Sequence, residues 1–189
     1  MSHFSASVLR LAAFGALCTT ALTACAGNFK LTGPELGPGD RLPPAQVYSG
    51  FGCEGGNRSP ALQWSGAPSG TRSFAVTVYD PDAPTGSGWW HWVVYNLPAD
   101  TRGLPEGVEV AAGAALPPGA VQGRNDYGSV GFGGACPPRG DRPHRYVFTV
   151  HALKTERLDL PADASPAMVG FMLHTHRLAH ASFTARYGR

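Results

Sequence analysis

The stretch that most constrains this chain runs from Ser73 to Leu97, SFAVTVYDPDAPTGSGWWHWVVYNL. Residues 74–79 carry Val76, Thr77 and Val78, and residues 90–95 repeat the habit with Trp92, Val93 and Val94. Runs of β-branched and aromatic residues of this length fit a pleated, buried surface. Between them Asp80-Pro81-Asp82-Ala83-Pro84 is followed by Gly86 and Gly88. Proline cannot donate to a ladder and glycine weakens one, so the chain must leave the sheet there. The expectation is strand, tight acidic turn, strand. Asp80 then falls at the end of one strand and His91 near the start of the next, which puts a carboxylate and an imidazole on one rim.

The rest of the composition agrees with a β fold. A chain of 189 residues with 25 Gly, 17 Pro and only 15% charged residues favours many short strands joined by turns over a helical bundle. Its length fits one main domain with an ample core. A formal charge of +2 and the absence of any Lys/Arg run exclude nucleic acid as the expected partner.

In chain order, residues 1–24 read as an export signal. Leu11 to Leu22 is apolar but short for a membrane span, and the segment contains no Asp or Glu. It ends in Leu22-Thr23-Ala24-Cys25, which resembles the lipobox of bacterial lipoproteins, whose cysteine is lipidated and becomes the mature N-terminus. An ordinary secretory signal cut after Ala26 is the alternative. Either way the chain is expected in the cell envelope, with lipid on Cys25 anchoring it to a membrane. Residues 25–44, rich in Gly and Pro, are expected to form a tether, and 45–189 the domain.

Strands are expected at Gln46–Phe51, Leu62–Trp64 and Val108–Val110, and a strong one at His144–Leu153, where Tyr146, Phe148, Val150 and Ala152 share a face. Ser165-Pro166 supplies a capping residue and a first-turn proline. Val169, Met172, Leu173, His176, Ala179, His180 and Phe183 then recur at helical spacing, predicting one amphipathic helix from Ala167 to about Arg186. His176 and His180 have a spacing zinc uses, but without an adjacent Glu or cysteine pair they read as a helix face, so no metal or cofactor is expected.

Asp80, His91 and His144 each stand where a strand meets a Gly- or Pro-rich loop, the usual place for function on a rigid scaffold. Two imidazoles with a carboxylate behind them suit a phosphate: ring N–H groups donate to its oxygens and the carboxylate fixes a tautomer. Backbone N–H groups of the glycine-rich loop from Gly131 to Gly140 would add donors. Histidines near a sheet edge that merely satisfy backbone carbonyls are the bland alternative. With Cys18 removed and Cys25 lipidated, Cys53 and Cys136 are the remaining thiols in an oxidising compartment, and a disulfide between them is expected.

DPDAP, WHWVVYNLP and NDYGSVGFGGACPPRGDRPHRYVF, in that order, resemble the phosphatidylethanolamine-binding protein family, also called Raf kinase inhibitor-like, in its bacterial branch. The likeness runs from about Leu31 to the C-terminus. It implies an antiparallel β-sandwich with Greek-key character and a C-terminal helix. It also implies an anion pocket formed by Asp80, His91, Cys136, Pro138 and His144 with Tyr146 beneath, and binding without turnover. Asp82 and Arg145 read as a supporting turn carboxylate and its partner, and Trp90 as a candidate for the pocket mouth. The expected ligand is a phosphate-bearing small molecule or lipid head group, bound by an inhibitor or scaffold. The alternatives are a hydrolase using Asp80 and His91, or a module that binds only protein.

Overall fold

The computed structural model describes residues 28–108 and 116–189. The export signal expected at 1–24, the lipidation expected at Cys25 and most of the strand expected at Val108–Val110 fall outside them.

The strands are β1 (Lys30–Thr32), β2 (Ser49–Gly50), β3 (Cys53–Glu54), β4 (Leu62–Ser65), β5 (Ser73–Asp80), β6 (Trp89–Pro98), β7 (Gly103–Leu104), β8 (Val121–Gln122), β9 (His144–Leu153) and β10 (Arg177–Tyr187); the one α-helix among the described residues is α1 (Pro166–His176). Five strands form an antiparallel sheet in the order β10-β9-β5-β6-β8, and β1-β4-β7 form a second sheet. The main core lies between them. Leu31, Leu62, Trp64 and Leu104 come from the small sheet, and Phe74, Val76, Val78, Trp92, Val94, Phe148 and Val150 from the large one. Fully burying each such side chain stabilises the fold by about 1.5–3 kcal/mol. The opposite face of the large sheet is covered by Val169 and Leu173 of α1 over Ala75, Val93, Tyr95 and Leu153. Covered on both faces, β5 reads as a nearly continuous apolar run. The long connection from β6 to β9 returns the chain beside β5, which gives the sandwich its Greek-key character.

Three expectations are corrected. The helix begins as predicted, with Ser165 Oγ accepting from Met168 N at 3.2 Å and Pro166 in the first turn. It ends at His176. Arg177 is extended, and the following residues pair along the whole of β9, from Arg177 opposite Leu153 to Tyr187 opposite His144. His176 and His180 therefore do not share a helix. The expected tether is also part of the fold from Lys30 onward. Leu31, Leu36 and Leu42 are buried, and Gly39 N and Leu42 N donate to the carbonyls of Thr184 and Arg186. This segment covers the outer edge of β10, which would otherwise present unpaired backbone groups. The expected strand at Gln46–Phe51 is replaced by a 3₁₀ turn at Pro44–Gln46 and the short hairpin β2–β3.

Candidate anion pocket

A bulge places the first histidine. The β5–β6 register passes from Tyr79 opposite Trp90 to Val78 opposite Trp92, so His91 is the extra residue. A bulge re-aims side chains and is common beside functional sites. Here Trp90 goes to the α1 side of the sheet, against Tyr79 and beneath Gly170. Asp80, Trp89 and His91 instead line a cavity of about 200 Å³ with Cys136, Pro138, His144 and Tyr146. The residue at the mouth is thus Trp89 and not Trp90.

The acidic turn is fixed from within. Asp80 Oδ1 accepts from Asp82 N at 2.8 Å, while Asp80 Oδ2 accepts from His144 Nδ1 at 2.7 Å in a fully buried pair. The carboxylate behind the imidazoles therefore serves His144, and the Asp80–His91 dyad on which a hydrolase would depend is not formed. Asp82 accepts from Arg145 N, Nε and Nη2, each at 2.9 Å, and from Arg142 Nη2 at 3.2 Å. The Arg145 guanidinium holds its carboxyl well below the usual carboxylate range, with Arg145 N and Arg142 assisting against burial. Gly88 closes the turn at φ +70, and a Cβ there would lie 2.2 Å from Tyr79 Oη.

His91 is held differently. Its Nδ1 lies 2.7 Å from Gly133 O and donates to it, which leaves Nε2 as the lone-pair nitrogen of the neutral ring. Burial pushes the His91 pKa down, more strongly than the Gly133 carbonyl and the charges of Asp80 and Asp126 raise it. The edges of Tyr127 and Tyr146 meet its ring at centroid distances of 5.7 and 5.1 Å. Burial, with Asp80 nearby, raises the Tyr146 pKa, so its hydroxyl remains a donor. Burial does the same to Tyr127, whose hydroxyl donates to Gly134 O at 2.9 Å. His144 Nε2 lies 3.5 Å from Asp141 Oδ2 at the surface.

Six buried side-chain polar atoms among the described residues lack a hydrogen-bond partner, and three of them, Trp89 Nε1, His91 Nε2 and Tyr146 Oη, belong to residues lining this one cavity. Leaving such a group unpaired costs about 1–3 kcal/mol, so three around one hollow call for a polar guest. A larger open groove of about 690 Å³ crosses the outer face of β1-β4-β7, but no carboxylate–imidazole pair lies in it. Among the described residues no group of three or more His, Cys, Asp or Glu side chains is gathered closely enough for a metal ion.

The mouth is aromatic and braced. Phe51 is 70% exposed and sits at φ +51 in the β2–β3 turn, tilted against Tyr48 and Tyr127, which stack on each other. Cys53 and Cys136 form a disulfide with Cα atoms 6.0 Å apart, tying this hairpin to the Pro137-Pro138 wall. Arg189 adds bonds to Gly52 O at 2.6 Å and Pro137 O at 2.7 Å. The glycine-rich loop does not supply the expected free amides. Gly131 N, Gly133 N, Gly134 N and Gly140 N bond to Gly123 O, His91 O, Asn57 Oδ1 and Arg189 O respectively. Its glycines serve close packing: a Cβ at Gly134 would fall 2.5 Å from Gln46 O.

The fold and pocket together define a β-sandwich with a cavity over a buried carboxylate–imidazole pair. The phosphatidylethanolamine-binding protein profile matches residues 32–188, and the chain belongs to that family. The UPF0098 protein YbcL of Escherichia coli (strain K12) is 57% identical over 165 residues, 87% of this chain and 90% of its own. YbhB of the same organism is 56% identical over 158 residues, 84% of this chain and 99% of its own. A crystal structure of E. coli YbcL, described as a new member of the mammalian PEBP family, superposes with a TM-score of 0.83 over 85% of this chain and 98% of that one.

Proposed function

We propose that this protein is an exported, lipid-anchored binding protein whose cavity takes a phosphate monoester or a phospholipid head group, as the recognition element of an inhibitor or scaffold. The observation that carries the reading is that Trp89, His91 and Tyr146, which line one cavity with the Asp80–His144 pair, each hold a buried polar atom without a partner. Tyr146 and Trp89 donate to phosphate oxygens. His91 Nε2 engages the anion in one of two equivalent ways: a monoanion's O–H donates to it, or the dianion's charge draws a proton onto the ring. Both complexes hold one proton more than the dianion and neutral imidazole apart. The organic part leaves through the aromatic mouth past Phe51 and Trp89. Family membership supports binding as the role, and Cys136, tied to Cys53, is not a free nucleophile. Anchoring is supported by the lipobox-like Leu22-Thr23-Ala24-Cys25.

The test is calorimetric titration with O-phosphoethanolamine. His91→Ala or His144→Ala should weaken binding by about 1.5–3 kcal/mol, roughly ten- to a hundredfold, as expected for a lost charge-assisted bond. Above the phosphate's second pKa of about 6, affinity should fall by up to about tenfold per pH unit, because complex formation takes up a proton. Affinity indifferent to both substitutions and to pH would remove the assignment.

A further inference from the structure

The first described residues and the pocket lie at opposite ends of the large sheet. Three strands agree on this polarity. Asp80, His91 and His144 occupy one end of β5, β6 and β9, while Phe74 and its cross-strand partners Leu97 and Ala152 occupy the other. The described chain begins at that other end. The ring of Phe29 lies 6.2 Å from that of Phe74, and Asn28 abuts the end of β4, so closely that a Cβ at Gly66 would lie 2.5 Å from Asn28 O. From Phe74 to Asp80 is six residues of strand, about 20 Å at 3.3 Å per residue.

The spacer is short because the Gly/Pro-rich segment folds into the domain. Only Ala26, Gly27 and Asn28 separate Cys25 from Phe29. Fully extended, the four steps span about 14 Å at most. Turning the pocket mouth onto the bilayer would invert the domain and lift Phe29 about 20 Å from the surface, farther than the spacer reaches.

From this geometry we infer that the pocket is closed to the head groups of its own anchoring leaflet and takes a soluble, water-borne phosphate monoester. The inference rests on the anchor and phosphate-pocket readings above, and it selects between their two ligand sources. The anchor holds the receptor at the membrane while its mouth opens away from it. Lipid fixes where the protein samples its ligand, not what it samples.

The full lipidated chain, reconstituted in phosphatidylcholine vesicles with or without phosphatidylethanolamine, tests this in two arms. In the first, a donor dye is placed on Ser69→Cys, in the exposed turn after β4, or on Ser87→Cys, exposed in the turn before β6, with acceptor-labelled head groups in the bilayer. Energy transfer should be at least twofold stronger from position 69. Equal or stronger transfer from position 87 would overturn the orientation without reference to any ligand. In the second, affinity for O-phosphoethanolamine should change less than twofold when phosphatidylethanolamine is added to the vesicles. A tenfold loss would show head-group competition and overturn the proposal. An N-terminal peptide without acyl mass at Cys25 would instead remove the anchor reading. Failure of the detergent-solubilised chain to bind O-phosphoethanolamine would remove the pocket reading. Either loss takes the inference with it.

Discussion

Replacing Cys53 and Cys136 together by Ser separates what the disulfide does for stability from what it does for the pocket. The two cysteines are 83 residues apart, so the bond closes a long loop in the unfolded chain. The chain-entropy relation for a loop of that length gives a loss of about 4.5 kcal/mol. At about 2–4 °C per kcal/mol for a domain of this size, the melting temperature should drop by roughly 10–18 °C. Native contacts change little, because Arg189 still bridges Gly52 O, Phe51 O and Pro137 O. Guanidinium unfolding of the oxidised protein and the double variant measures the difference. Affinity for O-phosphoethanolamine, titrated below the transition, should stay within a few-fold, since Asp80, His91, His144 and Tyr146 keep their partners and positions. A stability loss under about 1 kcal/mol would refute the loop-entropy reasoning. Two equivalents of alkylation in the denatured, unreduced wild type would refute the bond itself.

Two further perturbations test the fold's polar supports. Asn96 sits at φ +59 in β6, donates to Leu158 O at 3.2 Å and accepts from Leu158 N at 2.8 Å, all buried. Asn96→Ala strands both backbone groups and should cost roughly 2–4 kcal/mol, read by thermal denaturation; less than about 1 would count against the account. His151 is pushed down to about 3 by burial, with Arg177 and His180 contributing. The unfolded chain binds that proton near 6.5 and the folded chain does not until about 3, so between these values the unfolded state holds more protons and stability falls as pH drops. His151→Gln should flatten this slope while keeping a partner for Thr77 Oγ1, which lies 3.1 Å from His151 Nε2; an unchanged slope of urea midpoints from pH 7 to 4 would contradict it.

What was legible in the sequence depended on how many residues fix a feature locally. The β5–β6 unit and β9 were legible because their side chains are β-branched or aromatic and their ends carry Pro, Gly and Asp, which settle the backbone without help. The cap at Ser165-Pro166 was legible for the same reason. The end of α1 was not. Residues 177–187 carry half-buried Ala179 and buried Ala181, Phe183 and Ala185 on alternate positions of β10, but alanine suits a helix at least as well, and Ala179 and Phe183 also fit a helical stripe. Only the free edge of β9 decides in favour of a strand. Likewise Gly33, Pro34, Gly37, Pro38 and Gly39 read as a tether, because the three leucines that pin the segment to the core are spaced too irregularly to show a period. The aromatic mouth was missed at Phe51, Trp89 and Tyr127 because it is assembled from loops far apart in the chain. The trace for Trp89 was parity with His91, once the bulge is allowed for.

The bulge at His91 and the unpartnered atoms beside it are two sides of one arrangement. Regular alternation would send His91 away from the side of the sheet that carries Asp80 and Val78. The extra residue turns it back, and the ring then trades water for the edges of two tyrosines and one carbonyl bond. That position lowers its proton affinity and leaves Nε2 without a partner, both of which a purely structural core would avoid by carrying an apolar residue. Unpartnered atoms elsewhere are scattered: Trp64 Nε1, Thr101 Oγ1 and His151 Nδ1 line no part of this cavity. Among the described residues only Trp89, His91 and Tyr146 share the lining of one cavity, next to a carboxylate already committed to His144. An anion that supplies acceptors for Trp89 and Tyr146, and a proton for His91, satisfies all three at once. A neutral apolar ligand would leave every one of them unpaired. Water would satisfy them singly, but without the charge that a buried, neutral imidazole is poised to answer by taking up a proton. Under the proposed reading, the proton taken up with a phosphate would offset the same burial that lowers the proton affinity of His91 in its absence.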